Sequence, residues 1–378
     1  MNKELRKGLR TWIEIDKKAI KHNYSLFRNL IPSNIKLMGV VKSNAYGHNL
    51  FEFAKELEKL GVDFLGVDSA VEALALRREG IKTPILVLGF TLPEMFALLV
   101  KKDISISVSN FKTLAFLRKL RDFRGIKIHI KVDTGMSRHG FVENDIKKVL
   151  AEIGRNSAVI VEGLFTHFAM AKNPSLPSYT KNQIEKFNIW REAFVGVGLK
   201  PICHAGATAG TLLFSEAHHD LVRIGISLYG LWPSKEIKAF YQNRIKLQPV
   251  LTWKTLIAEI KKLPKGTKIG YDCSEILARN STLAVCPIGY WHGLPCALSS
   301  IGYVLVNGIR CKILGRVCMD IIMVDITAVQ KAKVLDEVVI IGKQGRGEIL
   351  ISEIADLLDA SAYELVTRIN PLIKRIYI

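Results

Sequence analysis

The sequence predicts a TIM (β/α)8 barrel followed by a C-terminal, mainly-β domain. Three observations predict it. Eight short apolar runs, each leading into a polar loop and an amphipathic stretch, succeed one another over roughly two hundred residues. From Val250 onward the runs shorten, alternate and are punctuated by Gly and Pro, as in an all-β domain. No GxGxxG follows any strand, which argues against a doubly wound sheet. The expected division is residues 11–240 for the barrel and 241–378 for the β-domain, with residues 1–15 pairing with the latter.

The elements follow in order. Thr11–Ile15 alternates like a strand, and Asp16 is placed to cap a helix running to about Asn29. The barrel strands are read at Leu37–Lys42, Phe64–Asp68, Ile85–Leu88, Ile104–Val108, Ile128–Asp133, Val161–His167, Ile202–Ala205 and Leu221–Ile226. Helical patterns such as Ala70–Arg78 and Leu114–Leu120 lie between them. Past Pro249 the strands are Leu251–Ile260, Leu283–Cys286, Tyr303–Val306, Ile309–Ile313, Ile321–Asp325 and Glu337–Ile341. A helix at Ile351–Leu358 and a strand at Lys374–Ile378 end the chain.

Composition narrows the function. The formal net charge is +19, from 54 basic and 35 acidic residues. The basic residues are scattered along helical segments such as Lys147–Arg155, without an aromatic-interleaved stripe, so no nucleic-acid partner is expected. Apolar runs are short and broken by charge, and the first residues lack an apolar h-region, so neither a membrane span nor a secretory signal is expected. The six cysteines show no CxxC spacing, so no metal site is expected and reduced cytoplasmic thiols fit.

Lys42 stands where the first barrel strand meets its loop, in VVKSNAYGHN. On position alone it reads as a solvated strand cap. The letters around it resemble the cofactor-lysine motif of alanine racemases, VVKANAYGHG, and the resemblance runs nearly end to end. It implies pyridoxal 5'-phosphate held as a Schiff base by Lys42, with Tyr46 on the phosphate. KVDTGMSRHGF, from Lys131, resembles the family's KVDTGMGRLG. The resemblance implies that Arg138 meets the cofactor's phenolic oxygen and the substrate carboxylate, and that Lys131 is a candidate for carbamylation. His167, in EGLFTHF, matches a histidine near the pyridine ring. Thr208, in HAGATAG, keeps the hydroxyl of the family's phosphate-binding serine, while Ala207 replaces an asparagine. LVRIGISLYG resembles MVRxGIxxYG, which implies Gly225 and Ile226 on the phosphate, where barrels commonly bind one.

Arg223 discriminates most. In the family it faces the pyridine nitrogen, and an arginine there can only donate. The ring then stays unprotonated and is a weaker electron sink, which favours racemisation over transamination. Related barrel decarboxylases use a carboxylate instead. Racemisation needs a base on each face of the α-carbon. Lys42 is one; Tyr271, in KIGYDC, matches the family's catalytic tyrosine, supplied by the partner subunit. Met319, in GRVCMD, would bind the substrate carboxylate through its N–H. The resemblance thus implies an alanine racemase: a cytoplasmic homodimer with shared active sites, interconverting L- and D-alanine for peptidoglycan synthesis. A broader racemase acting on serine, or a non-catalytic carrier of the cofactor, is the alternative.

Overall fold

Runs such as Ile85–Val87 are apolar throughout because a parallel barrel strand is covered on both faces, and every residue of that run is buried. The computed structural model describes residues 6–120 and 125–378. The chain divides into two units, one of residues 19–45 and 50–248, the other of residues 1–18, 46–49 and 249–378. The first five residues of the segment expected to pair with the β-domain lie outside the described residues.

In the first unit eight parallel strands follow one another in space as in sequence: Lys36–Val40, Phe64–Val67, Ile85–Val87, Ile104–Val108, Ile126–Lys131, Val159–Phe165, Ile202–His204 and Leu221–Ile224. The eighth pairs with the first in register Met38 to Arg223. The seventh meets the eighth through a single bridge, Ala207 to Arg223, and the barrel is nearly closed. Ile104–Val108 has the expected limits, and the other seven strands end a residue or two before them, so Lys42 and His167 stand beyond strand ends, in the loops. Ladder bonding stops where the chain turns outward, whereas the apolar run continues. Helices start at side-chain caps: Ser69 accepts the Glu72 N–H at 3.3 Å, and Asn110 that of Thr113 at 2.9 Å. The helix at Ala70–Arg78 falls where the sequence puts it.

The second unit is mainly β. Its large sheet places Thr11–Ile15 between Leu251–Leu256, antiparallel, and Lys374–Tyr377, parallel. The run expected as one strand over Leu251–Ile260 is two, Leu251–Leu256 and Glu259–Leu263. At the break the Ile257 N–H goes to Asp336 and the Ala258 N–H to Val285, so the ladder changes partner at this corner. Among the described residues, no helix is long and apolar enough to cross a membrane.

Candidate active site

Lys42 follows directly on Val41, whose N–H is bonded to the Gly66 carbonyl at 2.8 Å. The next four residues, Ser43 to Tyr46, have φ of 56, 55, 50 and 50°, and Gly47 continues at 82°. This is a left-handed turn built of non-glycine residues. It costs about 1–2 kcal/mol per residue, and persists where its surroundings over-determine it. The Ala45 N–H reaches the Val41 carbonyl at 2.8 Å, and the Asn44 side chain accepts the Leu50 N–H at 2.9 Å. The turn points Lys42 outward, its Nζ 3.5 Å from Asp68.

Arg223 projects from the eighth strand and is 3% exposed. Its Nη1 donates to His204 Nδ1 at 2.7 Å and to the His204 carbonyl at 2.9 Å. Its Nη2 donates to the carbonyls of Thr166 and Ala205 at 2.8 and 2.9 Å, with His167 Nδ1 farther, at 3.4 Å. The Nε–H has no acceptor among the described residues. Burial lowers the guanidinium pKa to about 9, so it stays a cation at neutral pH. His167 is driven the other way from protonation: burial, then the charges of Arg223 and Arg138, lower it to about 3, and it is neutral.

Lys131 ends the fifth strand, 9% exposed. Burial, then the charges of Arg138, Arg223 and Lys42, bring its amine down to about 8. Asp133 shapes the loop that follows. It accepts the N–H groups of Gly135, Met136 and Ser137 on one oxygen, at 2.8 to 3.1 Å, and that of Arg138 on the other, at 3.0 Å. Burial alone would raise its pKa, but these four donors outweigh it and hold the carboxylate ionised. Lys131, Asp133, Met136, Arg138 and His167 line one small pocket. Beyond the seventh and eighth strands, Thr208 Oγ accepts the Gly225 N–H at 3.2 Å. Ile226 opens the next turn, where an N–H has no partner within its own helix.

Tyr46, Tyr271 and Met319 belong to the β-rich unit. Tyr46 is buried, its ring centroid 6.0 Å from that of Tyr363. Tyr271 is 69% exposed and Met319 53%. Tyr271 opens a tight turn between Gly270, at φ 71°, and Asp272, at φ 59°, and Asp272 is paired with Arg316 at 2.8 Å. The Met319 loop is held by the Tyr290 N–H on the Cys318 carbonyl and the Trp291 N–H on that of Met319, at 2.9 and 3.0 Å.

His167, expected near the pyridine ring, lies 3.4 Å from Arg223, but the short bond of Arg223 is to His204, which the sequence reading does not single out. His204 stands inside the quoted HAGATAG stretch, one strand over from Arg223. Its signal is a histidine at a strand's last residue, four positions before Thr208.

Residues 15–233 match the family described as alanine racemase, N-terminal domain, and residues 250–377 its C-terminal domain. An alanine racemase of Halothermothrix orenii is 39% identical over 380 aligned residues, covering 100% of this chain and 98% of the relative. One of Methanococcus maripaludis is 39% identical, over 97% and 98% of the two chains. Among solved structures, alanine racemase of Bacillus anthracis with bound L-Ala-P superposes with a TM-score of 0.92 at 35% identity, over 98% of this chain and 95% of that one. The Clostridium difficile enzyme does so with a TM-score of 0.92 at 33% identity, over 98% and 96%.

Proposed function

Because the chain belongs to the alanine racemase family, we propose that it interconverts L- and D-alanine with pyridoxal 5'-phosphate, using Lys42 and Tyr271 as opposed bases. The observation that carries this reading is Arg223. Four of its N–H groups are spent on protein acceptors and the fifth, on Nε, has none among the described residues. A donor left open on a buried side chain suits an aromatic ring nitrogen, which can only accept. The rest of the donor set fits an aldehyde phosphate too. Lys42 offers an amine, and beyond the seventh and eighth strands Thr208 offers a hydroxyl and Ile226 a backbone N–H, while the Gly225 N–H, bonded to Thr208 Oγ, would turn to the phosphate on binding. Tyr46 would add its phenol. When bound, the cofactor supplies a conjugated acceptor for the electron pair left by the α-proton.

The chain's own residues would do the rest. Arg223 donates without giving up its proton and so keeps that acceptor weak, which favours prompt return of the proton. Lys42 takes or returns the α-proton on one face. Tyr271 serves the other, and its exposure fits a phenol used by a second copy of the chain. Arg138 and the Met319 N–H would hold the substrate carboxylate, and neutral His167 would flank the ring. Lys131, with its lowered pKa, is set to attack CO2 as the free amine, releasing one proton and leaving a carbamate anion among Arg138, Arg223 and Lys42. We further propose a cytoplasmic homodimer that supplies D-alanine for peptidoglycan. The test is α-proton exchange and product chirality with alanine and serine, together with borohydride fixation of the cofactor. Exchange favouring alanine, and a reduced label on Lys42, are expected. Label on another lysine, or a preference for serine, would overturn the reading.

A further inference from the structure

Arg223 is a buried cation whose direct partners are all neutral: three carbonyls, His204 and, at longer range, His167. Buried charges are ordinarily paired. The hydrogen bonds continue past His204. Its Nε2 lies 2.9 Å from His129 Nδ1, and His129 Nε2 lies 3.0 Å from the Glu162 carboxylate, which also accepts the Ser105 hydroxyl. Arginine can only donate and a carboxylate can only accept. Between those ends there is one arrangement of protons for two neutral imidazoles. His204 accepts at Nδ1 and donates from Nε2; His129 accepts at Nδ1 and donates from Nε2.

The fold is built to make this line. The fifth and sixth strands pair Ile128 with Val161 but His129 with Gly163, so Glu162 is the extra residue of a β-bulge. A bulge re-aims a side chain, and here the carboxylate meets His129. A Cβ at Gly163 would come within 2.0 Å of His129 Nδ1, so glycine leaves the space the ring occupies. His204 stacks on Phe165, centroids 4.7 Å apart and planes 2° apart. Both imidazoles are fully buried, and burial lowers their pKa, so neither takes a second proton near neutral pH.

We propose that Glu162 is a positioning residue for Arg223, acting through His129 and His204: its carboxylate fixes the direction of every proton along the line and so orients the guanidinium with Nε–H outward. The inference rests on the reading of Arg223 as the partner of the cofactor's ring, but its test does not need the cofactor. Nitrogen NMR of histidine-labelled full-length protein, as purified and again after cofactor removal, reads the tautomers directly. Both His129 and His204 should carry their proton on Nε2 in both states. In Glu162→Leu the His129 donor loses its acceptor, so the reversed line, in which His204 turns an Nδ1 proton toward Arg223 and the guanidinium gives up that bond, becomes comparable in energy, and the Nε2 tautomer should give way to a mixture at both rings. Glu162→Gln, whose amide oxygen can still accept, should restore it. kcat should fall about tenfold in Glu162→Leu, the cost of one unmade buried bond, with KM little changed and partial recovery in Glu162→Gln. A proton on His204 Nδ1 in the unaltered protein would overturn the proposal whatever the variants do. So would Glu162→Leu if it lost activity with both tautomers intact. A protein that shows the expected tautomers but no racemisation would instead overturn the functional reading.

Discussion

At the C-terminal ends of the barrel strands Arg223 and His204 are buried and bonded to each other, and Arg223 also to backbone carbonyls, whereas in the β-rich unit Tyr271 and Met319 stand exposed on bonded turns. The two regions prepare their residues for different tasks. A group that must hold a ring at one angle is fixed by burial and by bonds on every other face. A group that completes a site on another chain has to be held by its backbone and left open at its tip. Tyr271, between two residues at positive φ and beside the Asp272–Arg316 pair, has the form that the proposed shared site requires.

The largest expected effect breaks this division of labour outright. Lys42→Ala should lower kcat by about 10⁴-fold or more, and Tyr271→Phe by about 10²–10⁴-fold in the direction that needs the phenol. Mixed dimers of the two variants should regain activity, since one site then combines an intact Lys42 with an intact Tyr271. Mixed dimers that form, bind cofactor and stay inactive would show that Tyr271 serves its own chain.

Next in size is a packing test. Gly163→Ala places a methyl within 2.0 Å of the His129 ring, which His204 and Glu162 hold from two sides, and should cost about 3 kcal/mol in urea unfolding. Gly266→Ala, in the β-rich unit, meets nothing within 4 Å and carries only its φ of 85°; it should cost about 1 kcal/mol. Equal costs would mean that the barrel interior is not preorganised as described.

Lys131 sharpens the comparison chemically. With a pKa of about 8 roughly half its amines are neutral at pH 8, against less than about 1% for an ordinary lysine. Carbon-13 CO2 should therefore give a carbamate signal that is absent in Lys131→Ala. Labelling of other lysines in its place would remove the special role of this amine.

The parts legible in the sequence are those written in one stretch. Lys42, Arg138, Thr208 and Arg223 each lie within a few residues of a recognisable strand end, and eight apolar runs suffice to imply a barrel. What the sequence hides is set by register. Glu162 and His129 are 33 residues apart, His129 and His204 75, and they meet because one bulge shifts a parallel ladder by a residue. The left-handed turn is hidden for another reason. Ser43, Ala45 and Tyr46 have no preference for positive φ; of the four non-glycine residues only Asn44 does. Side-chain and backbone bonds to Val41 and Leu50 impose the conformation.

The smallest effect concerns acid. Burial lowers the pKa of His129, His167, His204 and His219 in the barrel unit, to about 3 for His167 and about 4 for His219. In the β-rich unit it lowers His292. An unfolded histidine titrates near roughly 6.5. Between that value and the folded one, the unfolded chain binds more protons, so stability rises with pH. The contribution is complete above about pH 6.5 and is lost as pH falls toward 4, with a slope of about 1.4 kcal/mol per pH unit for each such group. Asp133 and Glu162, whose pKa values are also lowered, add to the loss only below the ordinary carboxylate range of roughly 4. The histidine window is therefore separate, and four of its five groups are in the barrel. Hydrogen exchange at pH 7 and pH 5, each scaled to intrinsic rates at that pH, should show Ile126–Lys131, Val159–Phe165 and Ile202–His204 losing protection before Leu251–Leu256 and Glu337–Gln344. Earlier loss in the β-rich strands, or simultaneous loss in both, would mean that the buried histidines do not set the acid limit of the barrel.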